Sequence, residues 1–292
     1  MYYIVYGFLY LFSLLPLRVL YLFSDLAYFL VYYVFGYRKE VVLNNLRSAF
    51  PEKTEKERKR IAQKFYHNMM DTFIETIKMI SVSQKFLDKR INGPWELINK
   101  FYASGRSVQL HIGHNFNWEW ANDVAARRSK FPFLGVYMRI SNKIFERMMY
   151  KLRSRSGTIL ILASKMREAF LPYRNTQYLL GLAADQNPGH PAKAYWIQFF
   201  GRPTPFVKGP EKGAKANNTI VVFAFINKVK RGYYELGLDV AEENPLTLPE
   251  GELTKRFVRY LENVIRKYPD MWLWSHKRWK HEWKEEYGPV ME

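Results

Sequence analysis

Four short apolar runs, separated by amphipathic stretches, constrain the fold of this chain more than any other feature. The runs are VQLHI at 108–112, FLGVY at 133–137, TILIL at 158–162 and YLLGLAAD at 178–185. Their lengths are typical of buried strands, and the segments near 117–128, 142–155 and 164–174 have helical patterns. This alternation predicts an α/β fold, with a mostly parallel sheet flanked by helices.

The C-terminal part extends the same domain. TIVVFAFINKV at 219–229 and YYELGLDVA at 233–241 are separated by a Lys-Arg-Gly turn and predict a hairpin at the sheet edge. GELTKRFVRYLENVIRKYP, which begins at residue 251, predicts a capped terminal helix. No repeat, low-complexity stretch or flexible linker follows residue 40. We therefore expect residues 38–292 to form one domain.

Residues 1–37 differ in composition from the rest, because they contain only two charged residues, Arg18 and Asp25. They lack the early positive charge and small-residue cleavage site of a secretory signal. The run from Val19 to Tyr37 is long enough to cross a bilayer at about 1.5 Å per residue. Asp25 disfavours a straight span, so a hairpin or a pair of helices lying in the interface stays open. In either case residues 1–37 are expected to anchor the chain to a membrane.

The charge of the body indicates an anionic partner. The chain has 45 basic and 27 acidic residues, a formal net charge of +18, and the anchor contributes one charge of each sign. Basic residues begin directly after the anchor, at Arg38 and Lys39, which favours a body on the cytoplasmic side. A cationic body beside an anchor is drawn to anionic headgroups, and nucleic acid is not expected as a partner. The chain has no cysteine, which excludes disulfides, thiolate metal sites and cysteine nucleophiles.

The segment between the anchor and the first strands has a helical pattern. After a turn at Phe50–Pro51, Thr54 and Glu57 form a capping-box pattern. Apolar residues then recur at three- and four-residue spacing up to Ile80, which predicts an amphipathic helix that covers the core.

The most reactive stretch is HIGHNFNWEW at 111–120, at the end of the first strand. Gly113 makes a turn and a helix begins at Asn117, so His114 lies where open α/β sheets bind ligands. On one continuous helix His114 and Glu119 would point about 140° apart. We expect His114 to fold back from the loop, to be kept neutral by the helix N-terminus, and to donate its far ring proton to Glu119. With no resident nucleophile, this histidine is expected to deprotonate a substrate hydroxyl as a general base.

The other histidine of this stretch has a different interpretation. His111 falls inside the strand and is expected to be structural. A metal site built on His111 and His114 is not expected, because no third ligand lies close in sequence. Trp118 and Trp120 are expected to pack in the core or at a membrane interface.

Several short motifs of the chain resemble those of a known family. GHNFNWE fits the H-x(4)-(D/E) motif of the glycerolipid acyltransferase superfamily. RKEVVLNNLRSAFP, GVYMR, LAADQN, FFGRPTPFVKG and PDMWLWSHKRWK follow in the order found in the late acyltransferases of lipid A biosynthesis, the lauroyl and myristoyl transferases of the HtrB type. The chain departs from that pattern at AADQNPG, where the family usually has an aspartate-rich block, and in its bias toward tyrosine and lysine.

The resemblance implies that residues 38–292 are an acyltransferase catalytic domain at the bacterial inner membrane, facing the cytoplasm. It implies fatty acyl transfer from acyl carrier protein, or from acyl coenzyme A, to a hydroxyl of an anionic lipid A precursor, with no cofactor or metal. The catalytic residues would be His114 and Glu119. The residues that would contact substrate or donor are Asn117, Arg139, Arg153, Asp185, Gln186 and Arg278.

Several alternatives stay open from the sequence. The acceptor could be another membrane lipid, such as an aminoacyl lipid or a glycolipid. Hydrolysis of a lipid thioester or phosphoester would use the same residues. A protein of another class, a non-catalytic binder of membrane surfaces, would need only the anchor and the charge.

Overall fold

The computed structural model describes residues Met1–Glu292 and contains eleven α-helices and ten strands. The helices are α1 Tyr2–Leu14, α2 Leu17–Phe29, α3 Lys39–Ala49, α4 Glu55–Lys78, α5 Gln84–Asp88, α6 Glu96–Asn99, α7 Trp118–Arg128, α8 Lys143–Ser154, α9 Met166–Phe170, α10 Gly209–Ala216 and α11 Glu252–Lys267. The strands are β1 Ile91–Asn92, β2 Val108–Ile112, β3 Phe133–Tyr137, β4 Ile159–Leu162, β5 Leu179–Ala183, β6 Tyr195–Phe199, β7 Arg202–Phe206, β8 Ile220–Lys230, β9 Tyr233–Glu242 and β10 Val290–Met291.

Seven strands form the main sheet in the order β1-β9-β8-β2-β5-β3-β4. Every neighbouring pair is parallel except the β8–β9 hairpin. The carboxyl ends of β2, β5, β3 and β4 therefore meet at one edge of the sheet, where α/β folds place their sites. A second sheet, β10-β6-β7, lies outside the main one.

Helices cover both faces of the main sheet. On one face Phe257 of α11 packs edge-on against Phe223 of β8. The buried His111 of β2 also packs against the Phe257 ring. On the other face Trp120 of α7 is fully buried and packs against Tyr234 of β9. The prediction of a mostly parallel sheet flanked by helices is confirmed.

The two N-terminal helices lie along the body and contribute to its core. Leu20 of α2 is fully buried. Ser24 donates a 2.7 Å hydrogen bond to Asp71 of α4, and Asp25 pairs with Arg231 at 2.6 Å. Asp25, the residue that disfavours a straight span, thus faces the protein. The outward faces of both helices expose large apolar side chains: Tyr3, Ile4, Phe8, Leu11, Leu14, Leu22, Phe23, Leu26 and Phe29.

Only one helical stretch, Leu17–Val34, is long and apolar enough to cross a membrane, and this is weak support for anchoring. Part of this stretch packs with residues 38–292 in the protein core. The expected boundary between an anchor (1–37) and a catalytic domain (38–292) therefore does not coincide with a gap in packing. That division stays a prediction.

The structure differs from the expected elements in three places. The β8–β9 hairpin forms but is not the edge of the main sheet, because the short strand β1 pairs outside β9. The helix predicted at 164–174 is broken into short turns, since Pro172 follows α9 and cannot donate within a helix. The second sheet was not predicted, because β7 contains two prolines and does not alternate. The α4 capping box is confirmed, with the Thr54 backbone N–H donating to Glu57 at 2.8 Å.

Candidate active site

His114 and Asp185 occupy equivalent positions after two neighbouring strands. β2 and β5 pair with Ile112 opposite Ala183, and each functional side chain lies two residues beyond that pair. The His114 ring donates from Nδ1 to Asp185 Oδ1 at 2.5 Å, and the His114 backbone N–H donates to Oδ2 at 2.8 Å. The parallel register of the sheet therefore builds the pair from residues 71 positions apart in sequence.

Asp185 is almost fully buried and is held ionised. The Trp272 indole N–H donates to its Oδ2 at 2.7 Å, so the carboxylate accepts three hydrogen bonds. Burial alone would raise the pKa of Asp185, but the charge of His114 and these hydrogen bonds lower it to about 2. At neutral pH Asp185 is an anion that fixes the orientation of the imidazole.

The remaining ring nitrogen of His114, Nε2, has no hydrogen-bond partner within the protein. Because Nδ1 carries the proton shared with Asp185, the neutral ring has its lone pair on Nε2. The side chain is 24% exposed, so a hydroxyl can reach it, and the Trp118 ring meets it edge-on. This arrangement can take a proton from an alcohol and return it to a leaving group.

The direction in which the pKa of His114 is shifted differs from the sequence-based expectation. The helix N-terminus was expected to keep the ring neutral. Burial does lower the pKa of His114, and the charge of Arg153 lowers it further, but the charge and hydrogen bond of Asp185 outweigh both and raise it. The expectation of a depressed pKa is wrong, because the charge and hydrogen bond of the buried Asp185 carboxylate favour the protonated ring.

The predicted bond between His114 and Glu119 is also wrong. Glu119 lies on the first turn of α7 and is buried. Its Oε2 accepts from Arg153 Nε at 2.9 Å, and its Oε1 accepts from Arg153 Nη2 at 2.6 Å and from the Trp118 indole at 2.9 Å. With both oxygens occupied, Glu119 orients Arg153, and Asp185 holds the imidazole.

A family model described as bacterial lipid A biosynthesis acyltransferase matches residues 1–281. The chain belongs to this family. A search of the curated proteins finds no match. Family membership supports an acyltransferase acting in lipid A biosynthesis, and the match includes the paired His114 and Asp185 as well as the N-terminal helices.

In this lipid A acyltransferase, the two segments that carried much of the sequence resemblance meet in space. Asn45, from RKEVVLNNLRSAFP, is buried and donates to the backbone carbonyls of Trp274 and His276, both at 2.7 Å. Arg38 of the same segment donates to the Ser275 carbonyl at 2.9 Å. These contacts hold residues 269–280, hereafter the tryptophan loop, from which Trp272 reaches Asp185.

The remaining predicted substrate contacts of the acyltransferase lie in different surroundings. Arg139 follows β3 at the same sheet edge, is exposed and has no carboxylate partner. Gln186 is half-buried next to Asp185. Both residues are placed where a substrate can reach them.

Two other predicted contacts are buried inside the protein. Asn117 is fully buried; its Oδ1 accepts from Trp120 N at 3.2 Å at the start of α7, and its amide donates to Glu75 at 2.7 Å. Arg278 is fully buried and donates to Asn187 and to the Pro205 carbonyl. Burial lowers the pKa of Arg278 to about 9, against the opposing charge of Asp185. Their geometry supports structural roles and gives no support to a direct substrate contact.

The sequence named His114, Asp185, Glu119 and Arg153 as candidate site residues but did not reveal how they pair. It also missed Trp272 and Asn45. Both residues lie in stretches that carry the family resemblance, and this resemblance was the one feature of the sequence that could have pointed to them. Only the fold brings the indole and the carboxylate together.

Proposed function

We propose that this protein transfers a fatty acyl group from an acyl thioester, carried by acyl carrier protein, to a hydroxyl of a lipid A precursor. The observation that carries the proposal is the free Nε2 of His114, whose opposite nitrogen is bonded to the buried carboxylate of Asp185. Family membership supplies the reaction class, and the geometry supports a base that acts on an alcohol.

In the proposed reaction, His114 Nε2 takes the proton of the acceptor hydroxyl as its oxygen attacks the thioester carbonyl carbon. The imidazolium that forms is stabilised by Asp185, which stays ionised. The tetrahedral intermediate then collapses and the C–S bond breaks. The departing sulfur takes the proton from Nε2, so the products are an ester and a free thiol and His114 returns to its neutral form.

Arginines complete the proposed site. Arg153 lies beside His114, and Glu119 holds its guanidinium. Arg139 is exposed at the same edge without a carboxylate partner, which suits an oxyanion of the lipid phosphate or of the phosphopantetheine arm. We assign substrate binding to Arg139 and Gln186 and imidazole positioning to Asp185.

Acyl carrier protein is proposed as the donor because the body is strongly cationic and carrier proteins are acidic. The protein is proposed to work at the bacterial inner membrane, with its body in the cytoplasm. Both N-terminal helices lie lengthwise on the body and expose one apolar face, which favours attachment at the membrane interface over a projecting span.

The test is product identification with the purified full-length protein. Acyl carrier protein loaded with a fatty acid is mixed with a lipid A precursor, and the lipids are read by mass spectrometry. We expect the precursor to gain one acyl chain by an ester bond. Free fatty acid without acylated lipid would show a hydrolase, and unchanged donor and acceptor would contradict the proposal.

Substrate substitutions test the finer assignments. Replacing the carrier-bound donor with acyl coenzyme A is expected to slow transfer, because the acidic surface of the carrier is lost. Replacing the lipid A precursor with an aminoacyl lipid or a glycolipid is expected to give no product. Transfer to one of these lipids instead would retain the chemistry and overturn the assigned acceptor.

A further inference from the structure

Helix α8 presents a basic stripe on its outward side. Lys143, Arg147 and Lys151 recur every four residues, so they align along one face, and all three are exposed. An adjoining face of the helix, which carries Met148 and Leu152, is buried against the body. The stripe is about 12 Å long at the helical rise of about 1.5 Å per residue.

The charges of this stripe are not neutralised within the protein. None of the three side chains forms an ion pair, whereas Arg153 on the same helix pairs with Glu119. The one acidic residue of α8, Glu146, accepts a hydrogen bond from the Ile140 backbone N–H at 2.8 Å. The stripe is therefore a cationic surface that has no acidic partner within the protein.

The stripe continues into the apolar face of α1. The Arg147 guanidinium lies 4.2 Å from the centre of the Tyr2 ring, and the Lys151 ammonium lies 5.8 Å from the same ring. On α1, Ile4, Phe8 and Leu11 are exposed on one face. Basic side chains flanking an apolar helix face match the boundary between acyl chains and phosphates in a bilayer.

We propose that Lys143, Arg147 and Lys151 bind the phosphates of anionic lipid headgroups, so that α8 and α1 together form the membrane-docking surface. The proposal rests on the membrane attachment of the proposed function but not on acyl transfer. Arg153, on the last turn of α8, bonds to Glu119 beside His114. Helix α8 therefore connects the proposed docking surface to the surroundings of His114.

Vesicle binding by the full-length protein tests this surface. Affinity is compared between neutral phosphatidylcholine vesicles and vesicles that also contain phosphatidylglycerol. The stripe variant is Lys143→Gln/Arg147→Gln/Lys151→Gln. The control is Lys100→Gln/Lys130→Gln/Arg174→Gln, which removes the same charge from exposed residues near the opposite edge of the sheet.

We expect the unsubstituted protein and the control to bind anionic vesicles more tightly than neutral ones. Each basic residue near an anionic surface contributes about fivefold, so the stripe variant is expected to lose up to about a hundredfold of that preference. Its binding to neutral vesicles is expected to stay unchanged, because the apolar faces of α1 and α2 remain. Circular dichroism checks that the stripe variant and the control are folded.

If the stripe variant and the control lose the same preference for anionic vesicles, net charge alone explains the preference, and the proposal is overturned. Full anionic preference in the stripe variant, with weaker binding of acyl carrier protein, would assign the surface to the acidic protein instead. Because vesicle binding is measured without turnover, a protein that transfers no acyl group still tests the docking surface.

Discussion

The bond between His114 Nδ1 and Asp185 sets both the direction and the charge of the imidazole. It leaves Nε2 as the ring nitrogen that is free to exchange a proton with a substrate, and it raises the pKa of the ring. If the reaction requires neutral His114, activity falls as the pH drops through the pKa of this ring. Because that pKa is raised, the fall begins at a higher pH than for an ordinary histidine, whose pKa is about 6.5. It also makes this histidine stabilising below about pH 6.5, a contribution lost as the pH rises through its folded-state pKa.

Asp185→Asn is expected to lower kcat by about 10²- to 10⁴-fold, because the amide stabilises neither the imidazolium nor the productive tautomer. Loss of the carboxylate also lowers the pKa of His114, so the acidic limb of the pH–rate profile should move to lower pH. Steady-state rates across a pH series check both effects. Wild-type kcat in this variant would remove Asp185 from the mechanism.

Arg153→Met is expected to shift the acidic limb in the opposite direction. The charge of Arg153 lowers the pKa of His114, so its removal raises that pKa, and the uncovered Glu119 adds to the shift. The same pH series measures it, with Arg167→Met, an exposed arginine on α9, as the control. An unchanged limb would show that Arg153 does not act on the imidazole.

At the scale of secondary-structure elements, the tryptophan loop contains no helix or strand of its own. Its position depends on contacts with α3. Asn45 binds two of its backbone carbonyls, and the loop places the Trp272 indole on Asp185. The proposed active site therefore depends on a helix that contributes no side chain to it.

Asn45→Ala is expected to lower the free energy of unfolding by about 1–3 kcal/mol, since two buried carbonyls lose their donor. It is expected to lower kcat about tenfold or more, because a displaced loop misplaces the carboxylate that orients His114. Thermal unfolding and steady-state rates measure the two effects. The exposed neighbour in Asn44→Ala is the control. A variant that is less stable but equally active would restrict Asn45 to folding.

The strands were predictable where the pattern is local, and the pairings were not. β3, β4 and β5 are uninterrupted apolar runs, β2 has apolar residues at alternate positions, and the β8–β9 hairpin has a glycine turn. The placement of β5 between β2 and β3 is a property of the whole sheet, and it alone brings Asp185 to His114. Glu119 is the acid nearest to His114 in sequence, but the pairing of β2 with β5 makes Asp185 the acid that bonds to the ring. Likewise Phe73 fits the apolar spacing of α4 yet is 60% exposed, because spacing does not reveal which neighbours cover a helix.

At the scale of the whole molecule, Glu75 joins the N-terminal helices to the sheet. This fully buried carboxyl accepts from Tyr21 of α2 and Tyr234 of β9, both at 2.6 Å, and from Asn117 at 2.7 Å. Burial raises the pKa of Glu75 to about 7 despite these hydrogen bonds. One acid thus couples the apolar segment, the start of α7 and the sheet edge.

The stability of the protein is therefore expected to fall as the pH rises from about 4.5 through about 7. Over that range the unfolded chain loses a proton that folded Glu75 retains, at a cost on the order of 3 kcal/mol. Glu75→Gln is expected to flatten this dependence in denaturant unfolding at several pH values. Glu52→Gln, at an exposed acid, should leave it intact. An equally steep dependence in both variants would place its origin elsewhere.

The central claim is that His114 is the base in acyl transfer, and His114→Ala tests it most directly. Acylated lipid is quantified by mass spectrometry, with the exposed His190→Ala variant as the control and circular dichroism as the check on folding. We predict that His114→Ala lowers transfer by at least about 10²-fold while remaining folded and membrane-bound, and that His190→Ala keeps full activity. Wild-type transfer by folded His114→Ala would contradict the account.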